Sequence, residues 1–131
     1  MAEFVLIVDD DERNAKLVRD VLEAAGMRTM TAGSAAAALD LAREHLPDLV
    51  LMDLRLPDLD GAEAARRLRG EPLTAAIPVV ALSALPSEDT AGWLRDAGFA
   101  GYLEKPIDVP SLPGRVRAYC GQGFGPSKPG C

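Results

Sequence analysis

Apolar runs that alternate with helix-like segments constrain the fold of this 131-residue chain more than any other feature. Phe4–Val8 and residues 49–52 and 77–82 are β-prone runs, a pattern typical of strands buried on both faces of a sheet. Residues 28–31 and 100–103 are weaker candidates for two more strands. Segments with apolar residues at helical spacing separate these runs and follow the last one. The alternation predicts a parallel sheet that is covered by helices on both faces.

Five helices are predicted between and after the strands. Asp11 or Glu12 caps the first helix, Gly26 ends it, and Ser34 caps the second. The apolar stripe of the first helix is expected to contain Leu17, Val18, Val21, Leu22 and Ala25. The other helices are predicted at 61–69, at 87–97 and from about residue 112 to 120. The last one is expected to start late, near Leu112, or to be kinked, because Pro110 and Pro113 occupy its expected first turns.

At this chain length, the alternation indicates an α/β fold with a five-stranded doubly wound parallel sheet of strand order 2-1-3-4-5, as in flavodoxin-like folds. Residues 1–120 are predicted to form this single domain. From Gly121 the composition changes to Gly, Pro, Ser and Lys, so residues 121–131 are predicted to be a flexible tail.

Charge, hydropathy and cysteine content indicate what the chain does not bind and where it is located. Twenty acidic residues against 14 basic ones give a net charge of −6, which disfavours direct nucleic-acid binding. No apolar run approaches the roughly 20 residues of a membrane span, and the first residues do not resemble a signal peptide. We therefore expect a cytoplasmic chain without membrane contact, in which Cys120 and Cys131 are reduced thiols.

Polar side chains end four of the predicted strands. Asp9 and Asp10 follow the first strand, Asp53 ends the third, Ser83 ends the fourth, and Lys105 follows the fifth. Each residue alone is explained as a cap, turn or surface residue, but their conjunction at the carboxyl edge of one sheet indicates a site. Clustered carboxylates repel one another and favour a hard cation such as Mg²⁺. Lysine and serine donors beside them suit the oxygens of a phosphoryl group.

The motifs at these positions resemble the receiver domain of two-component response regulators. The resemblance covers about residues 3–119 and rests on four motifs, with 30 residues from Asp53 to Ser83 and 22 more to Lys105. The motifs are Val8-Asp9-Asp10, Met52-Asp53-Leu54-Arg55-Leu56-Pro57-Asp58-Leu59-Asp60-Gly61, Leu82-Ser83-Ala84 and Lys105-Pro106. The chain is similar to the chemotaxis regulators of this family, so it is expected to be a single-domain response regulator or a piece of a longer protein.

The resemblance implies a role for each matched residue. Asp53 would be the phosphoacceptor. Asp10, Asp53 and the backbone carbonyl of Arg55 would bind Mg²⁺, or Mn²⁺ in its place. Asp9 would contribute through a water. Ser83 and Lys105 would contact the phosphoryl oxygens. Tyr102 would be the aromatic side chain that rotates with the state of Ser83. Ser83 and Tyr102 would together form the switch.

The same resemblance implies partners. A histidine kinase or a histidine phosphotransfer protein would supply the phosphoryl group, and the chain would catalyse only its own phosphorylation and dephosphorylation. A downstream protein target would bind the face formed by the predicted helix at 87–97, the fifth strand and the last helix.

Two alternatives remain at this point. A Mg²⁺-dependent phosphatase with an aspartyl nucleophile is one, although such enzymes carry a second Asp two residues after the nucleophile, where this chain has Arg55. A receiver-like scaffold that is never phosphorylated is the other, against which the complete set of site residues argues. A flavin- or nucleotide-binding module is disfavoured because no Gly-rich phosphate loop follows the first strand.

Overall fold

The computed structural model describes residues 3–54, 56, 58, 61–83, 97–104 and 107–120. The strands are Phe4–Val8 (β1), Arg28–Ala32 (β2), Leu49–Asp53 (β3), Val79–Ser83 (β4) and Gly101–Glu104 (β5). The helices within these residues are Glu12–Ala24 (α1), Ala35–His45 (α2), Gly61–Arg69 (α3) and Leu112–Cys120 (α4).

The five strands form one parallel sheet with the order β2-β1-β3-β4-β5. This confirms the doubly wound, flavodoxin-like fold predicted from the sequence. The register pairs Val8 of β1 with Met52 of β3, so the residues after β1 lie beside Asp53 at the end of β3. The connections after β1 and β3 lead to opposite sides of the sheet, which leaves a crevice at the carboxyl edge between these strands.

Within the described ranges, two helices pack on each face of the sheet. The alanine-rich sides of α2 and α3 pack on one face, around Val8 and Met52. The apolar sides of α1 and α4 pack on the other face, around Ile7 and Leu51. All five residues of β3 are buried, as the unbroken apolar run predicts for a central parallel strand. The acceptor candidate at the end of β3 is therefore carried by a fully buried strand.

The caps of α1 agree with the sequence, but its buried stripe differs from the prediction. Asp11 is the N-cap and accepts hydrogen bonds from two backbone N–H groups of the first turn. Gly26 follows the helix with a φ of +92°, which glycine adopts at little cost. The buried residues are Ala15, Val18 and Leu22, whereas Leu17 is 42% exposed. Residues 15, 18 and 22 are spaced by three and four positions and share one face, and Leu17 lies outside it.

The later elements mostly begin where local chemistry requires. β4 begins at Val79 rather than at Ile77, because the Ile77 N–H donates to the Thr74 carbonyl in a turn and Pro78 has no N–H. β5 lies one residue later than predicted. α4 begins at Leu112, as the two prolines led us to expect. The predicted helix at 87–97 lies almost entirely outside the described residues, which omit 84–96.

Side-chain contacts hold both ends of α2. At its N-terminus the Ser34 hydroxyl accepts from Ala37 N at 3.2 Å. Near its C-terminus the Arg43 guanidinium Nε lies 2.7 Å from one Glu71 oxygen and 2.9 Å from the other. These hydrogen bonds outweigh desolvation, so they hold the pKa of Glu71 below its ordinary value and raise that of Arg43. The contact ties α2 to the connection that follows α3.

Leu46, directly after α2, offers a stabilising substitution. It is the non-glycine residue with a positive φ in the described part of the chain (φ 49°, ψ 63°), and its side chain is half exposed. A left-handed conformation costs an ordinary L-residue about 1 kcal/mol, and glycine avoids most of that cost. We expect Leu46→Gly to raise the free energy of unfolding by about 0.5 kcal/mol in urea denaturation. Leu73→Gly, at an exposed leucine with ordinary φ, should lower it, and the same sign for both variants would contradict this explanation.

Candidate functional site

Three aspartates meet at the carboxyl edge of the sheet, between β1 and β3. Carboxylate oxygens of Asp9, Asp10 and Asp53 all lie within 4.8 Å of one another. Asp9 and Asp53 are buried, at 3% and 7% exposure, whereas Asp10 is exposed. The prediction that these three side chains come together is thereby confirmed. We refer to Asp9, Asp10 and Asp53 as the acidic cluster.

The carboxylate of Asp9 is fixed by the first turn of α1. Its Oδ1 accepts from the backbone N–H of Asp11 at 2.9 Å, and its Oδ2 accepts from the side-chain amide of Asn14. Asp11 in turn caps α1 through Arg13 N at 3.0 Å. Hydrogen-bond donors therefore hold both oxygens of a buried anion in place, which lowers the cost of burying its charge.

The acidic cluster is chemically suited to a small divalent cation. Three carboxylates at this separation repel one another, and two of them have lost most of their contact with water. A cation with hard-ligand preference relieves that repulsion, and Mg²⁺ binds through one or two carboxylates while it keeps several waters. Asp10 is exposed, so solvent reaches the cluster at this residue. The residues present therefore fit Mg²⁺.

A groove of about 420 Å³ adjoins the acidic cluster. It lies between α1 and the β2–α2 connection, and Asp9 and Asp10 form part of its lining. Lys16 and Arg19 of α1 also line it. Both cations lie beside Asp20, at 3.4 and 3.5 Å, so the groove carries charges of both signs.

The structure describes the other predicted site residues only in part. The backbone of Ser83 ends β4 and pairs with Glu104, one position after the pairing of Asp53 with Leu82. Tyr102 lies in β5 opposite Ala81; it is partly buried and packs against the core under α2 and α3. The side chain of Ser83, together with Arg55 and Lys105, lies outside the described residues.

Sequence reasoning missed two side-chain contacts, one at the site and one in the segment that follows β3. Asn14 stands five residues after Asp9, and only the folded first turn of α1 brings its amide to that carboxylate. Asp58 follows the acceptor strand, and its two oxygens accept from Ala35 N at 2.9 Å and Ala36 N at 3.0 Å. The sequence signals were weak, since both residue types are common in turns and caps.

No helix in the described ranges is long and apolar enough to span a membrane.

Comparison with known proteins agrees with the fold. The profile of the response regulator receiver domain matches residues 5–117. The polar-differentiation response regulator DivK of Brucella ovis is 41% identical over 121 residues, which are 92% of this chain and 98% of DivK. The Francisella response regulator 1452 receiver domain superposes with a TM-score of 0.84 at 30% identity, covering 92% of this chain and 98% of that one.

A further solved structure bears on the metal. It is the receiver domain of a sensor histidine kinase from Pseudomonas aeruginosa PAO1, with a magnesium ion coordinated in its active-site cleft. That domain is 28% identical, with a TM-score of 0.83, and the match covers 92% of this chain and 99% of that one. From the family match and the DivK similarity, this chain belongs to the response regulator receiver domain family. It is a receiver domain of two-component signalling, a class of signal-transducing rather than metabolic proteins.

Proposed function

We propose that this chain takes a phosphoryl group onto Asp53 from a phosphohistidine of a histidine kinase or phosphotransfer protein, and then changes shape to regulate a protein partner. The observation that carries the proposal is the position of Asp53, buried at the end of the central strand and within 4.8 Å of two further carboxylates. A nucleophile fixed in this way is presented to a donor in one orientation, which lowers the entropic part of the barrier.

The transfer step is a displacement at phosphorus. A carboxylate oxygen of Asp53 forms a bond to phosphorus while the bond from phosphorus to the donor histidine nitrogen breaks, and that nitrogen keeps the electron pair. Carboxylates are weak nucleophiles, so the reaction depends on an activated donor and on in-line placement. Bound Mg²⁺ would supply charge neutralisation for the phosphoryl oxygens and for the acidic cluster.

The protein groups have separate tasks in this proposal. Asp10, Asp53 and the Arg55 carbonyl would hold Mg²⁺, and Asp9, already fixed by Asn14 and Asp11, would contribute through a water. Ser83 and Lys105 bind phosphoryl oxygens.

The conformational switch is proposed to run through Ser83 and Tyr102. Tyr102 lies on the strand next to β4 and is partly buried, so movement at the end of β4 could reach it through the sheet. Its displacement would alter the edge of the sheet at β5, which is part of the β5 and α4 surface where we propose that the target protein binds. Residues 1–120 would carry the whole switch, with 121–131 as a tail.

The direct test is phosphorylation by a small donor. The purified protein is incubated with acetyl phosphate, with MgCl₂ or with excess chelator, and its intact mass is followed with time. We expect one added phosphoryl group per chain with Mg²⁺ or Mn²⁺ and almost none with chelator. Absence of uptake under both conditions would favour the unphosphorylated scaffold, and full uptake in chelator would contradict the role of the metal.

A further inference from the structure

The loop after the acceptor strand is attached to a helix that is distant in the sequence. The carboxylate of Asp58 accepts from the backbone N–H groups of Ala35 and Ala36, at 2.9 and 3.0 Å, across 23 and 22 residues. Both oxygens are engaged by successive amides of the first turn of α2. This two-point contact restricts the orientation of the carboxylate as well as its position.

The contact completes the cap of α2. The first turn of a helix leaves its backbone N–H groups without helical partners. Here Asp58 satisfies those of Ala35 and Ala36, and Ser34 satisfies that of Ala37. A negative carboxylate at this end also interacts favourably with the helix dipole. The cap therefore has two parts, one from within the helix segment and one from the loop after β3.

The segment between Asp53 and Asp58 is consequently held at both ends. Asp53 is fixed in the sheet by its pairing with Leu82, and Asp58 is fixed on α2. Leu54 and Leu56, between them, are partly buried and pack against the core under α2 and α3. Under the proposed function this segment also contains a metal ligand, the carbonyl of Arg55, three positions before Asp58.

We propose that Asp58 is a positioning residue for the phosphorylation site: it fastens the loop after β3 to α2 and so reduces the freedom that the loop must lose when a cation binds. The inference rests on the proposed function for its metal, but not for the contact itself. Because the coupling is reciprocal, occupation of the site by Mg²⁺ should also strengthen the contact at α2. The N-terminus of α2 would then report whether the site is occupied.

The experiment compares Asp58→Ala and Asp58→Asn with Ser34→Ala as the matched control. All three variants weaken the cap of α2, but Ser34→Ala leaves the loop attached. Two quantities are measured on unphosphorylated protein: the Mg²⁺ dissociation constant by calorimetric titration, and the hydrogen-exchange rates of the Ala35 and Ala36 amides by NMR.

We expect Asp58→Ala to weaken Mg²⁺ binding about tenfold, as is typical when a supporting group of a metal site is lost. The two amides should exchange about fivefold faster, which corresponds to the loss of one cap. Asp58→Asn, which keeps one carbonyl acceptor, should lie between the wild type and Asp58→Ala, and it serves if the alanine variant does not fold. Mg²⁺ should slow exchange of these amides in the wild type and not in Asp58→Ala.

Three results would overturn the inference. The first is an unchanged Mg²⁺ dissociation constant in both Asp58 variants. The second is a weakening of Mg²⁺ binding in Ser34→Ala that equals the weakening in Asp58→Ala. The third is that Mg²⁺ leaves the exchange rates of the Ala35 and Ala36 amides in the wild type unchanged. Failure of the proposed metal site looks different, because the wild type would then bind no Mg²⁺. The exchange rates without metal would still decide whether Asp58 holds the loop on α2.

Discussion

Asp53→Asn should abolish phosphoryl uptake from acetyl phosphate, with no mass increase in the presence of Mg²⁺. The amide lacks the anionic oxygen that attacks phosphorus, and its similar size leaves the end of β3 intact. Asp53 is 7% exposed and lies at the carboxyl end of the sheet's central strand, which fixes its position. We do not expect a neighbouring carboxylate to occupy that same position in line with the donor.

Asp20→Asn is the matched control for this substitution. It makes the same chemical change at a half-exposed aspartate of α1 whose contacts are with Lys16 and Arg19. The control should take up one phosphoryl group as the wild type does. Phosphoryl uptake by Asp53→Asn at the wild-type rate would show that another residue is the acceptor.

Asp10→Ala should have the second large effect, on metal binding. Loss of a supporting group alone weakens a metal site by roughly tenfold to a hundredfold. Because Asp10 is a proposed direct ligand, Asp10→Ala should raise the Mg²⁺ dissociation constant more than about tenfold, as measured by calorimetric titration. Phosphoryl uptake at limiting Mg²⁺ should slow in parallel.

The same variant should be no less stable than the wild type when a chelator is present. Asp10 is exposed, and its removal takes one of three mutually repelling charges from the acidic cluster. Glu12→Gln is the control, because it removes one negative charge from the groove lining without touching the cluster. Equal Mg²⁺ affinities for the wild type and Asp10→Ala would show that the cation binds elsewhere.

The sheet and the acidic cluster could be predicted because both follow from strand order. Continuous apolar runs mark buried parallel strands, and parallel strands bring their carboxyl ends to one edge. Asp9, Asp10 and Asp53 follow or end two such strands, so their meeting required no knowledge of side-chain packing. The register pairs Val8 with Met52, and it thereby brings the residues after β1 beside Asp53.

The remaining features depend on contacts that no local pattern encodes. The pairing of Asp58 with α2 joins residues 22 and 23 positions apart, and an aspartate in a loop has many local explanations. Leu17 fits an apolar stripe by composition, but the packed face of α1 is decided by the spacing of Ala15, Val18 and Leu22. The strained conformation of Leu46 is set by the turn from α2 into β3, and leucine gives no sign of it.

Identification of the residue that carries the phosphoryl group would decide whether Asp53 is the acceptor. Borohydride reduces an aspartyl phosphate to homoserine, so treatment of the phosphorylated protein, digestion and peptide sequencing by mass spectrometry identify the acceptor. We expect homoserine in place of Asp53 only, in an amount that matches the phosphoryl uptake. We expect no homoserine when the reaction is run with chelator. Homoserine in place of Asp9 or Asp10, or stoichiometric uptake without homoserine at any aspartate, would contradict it.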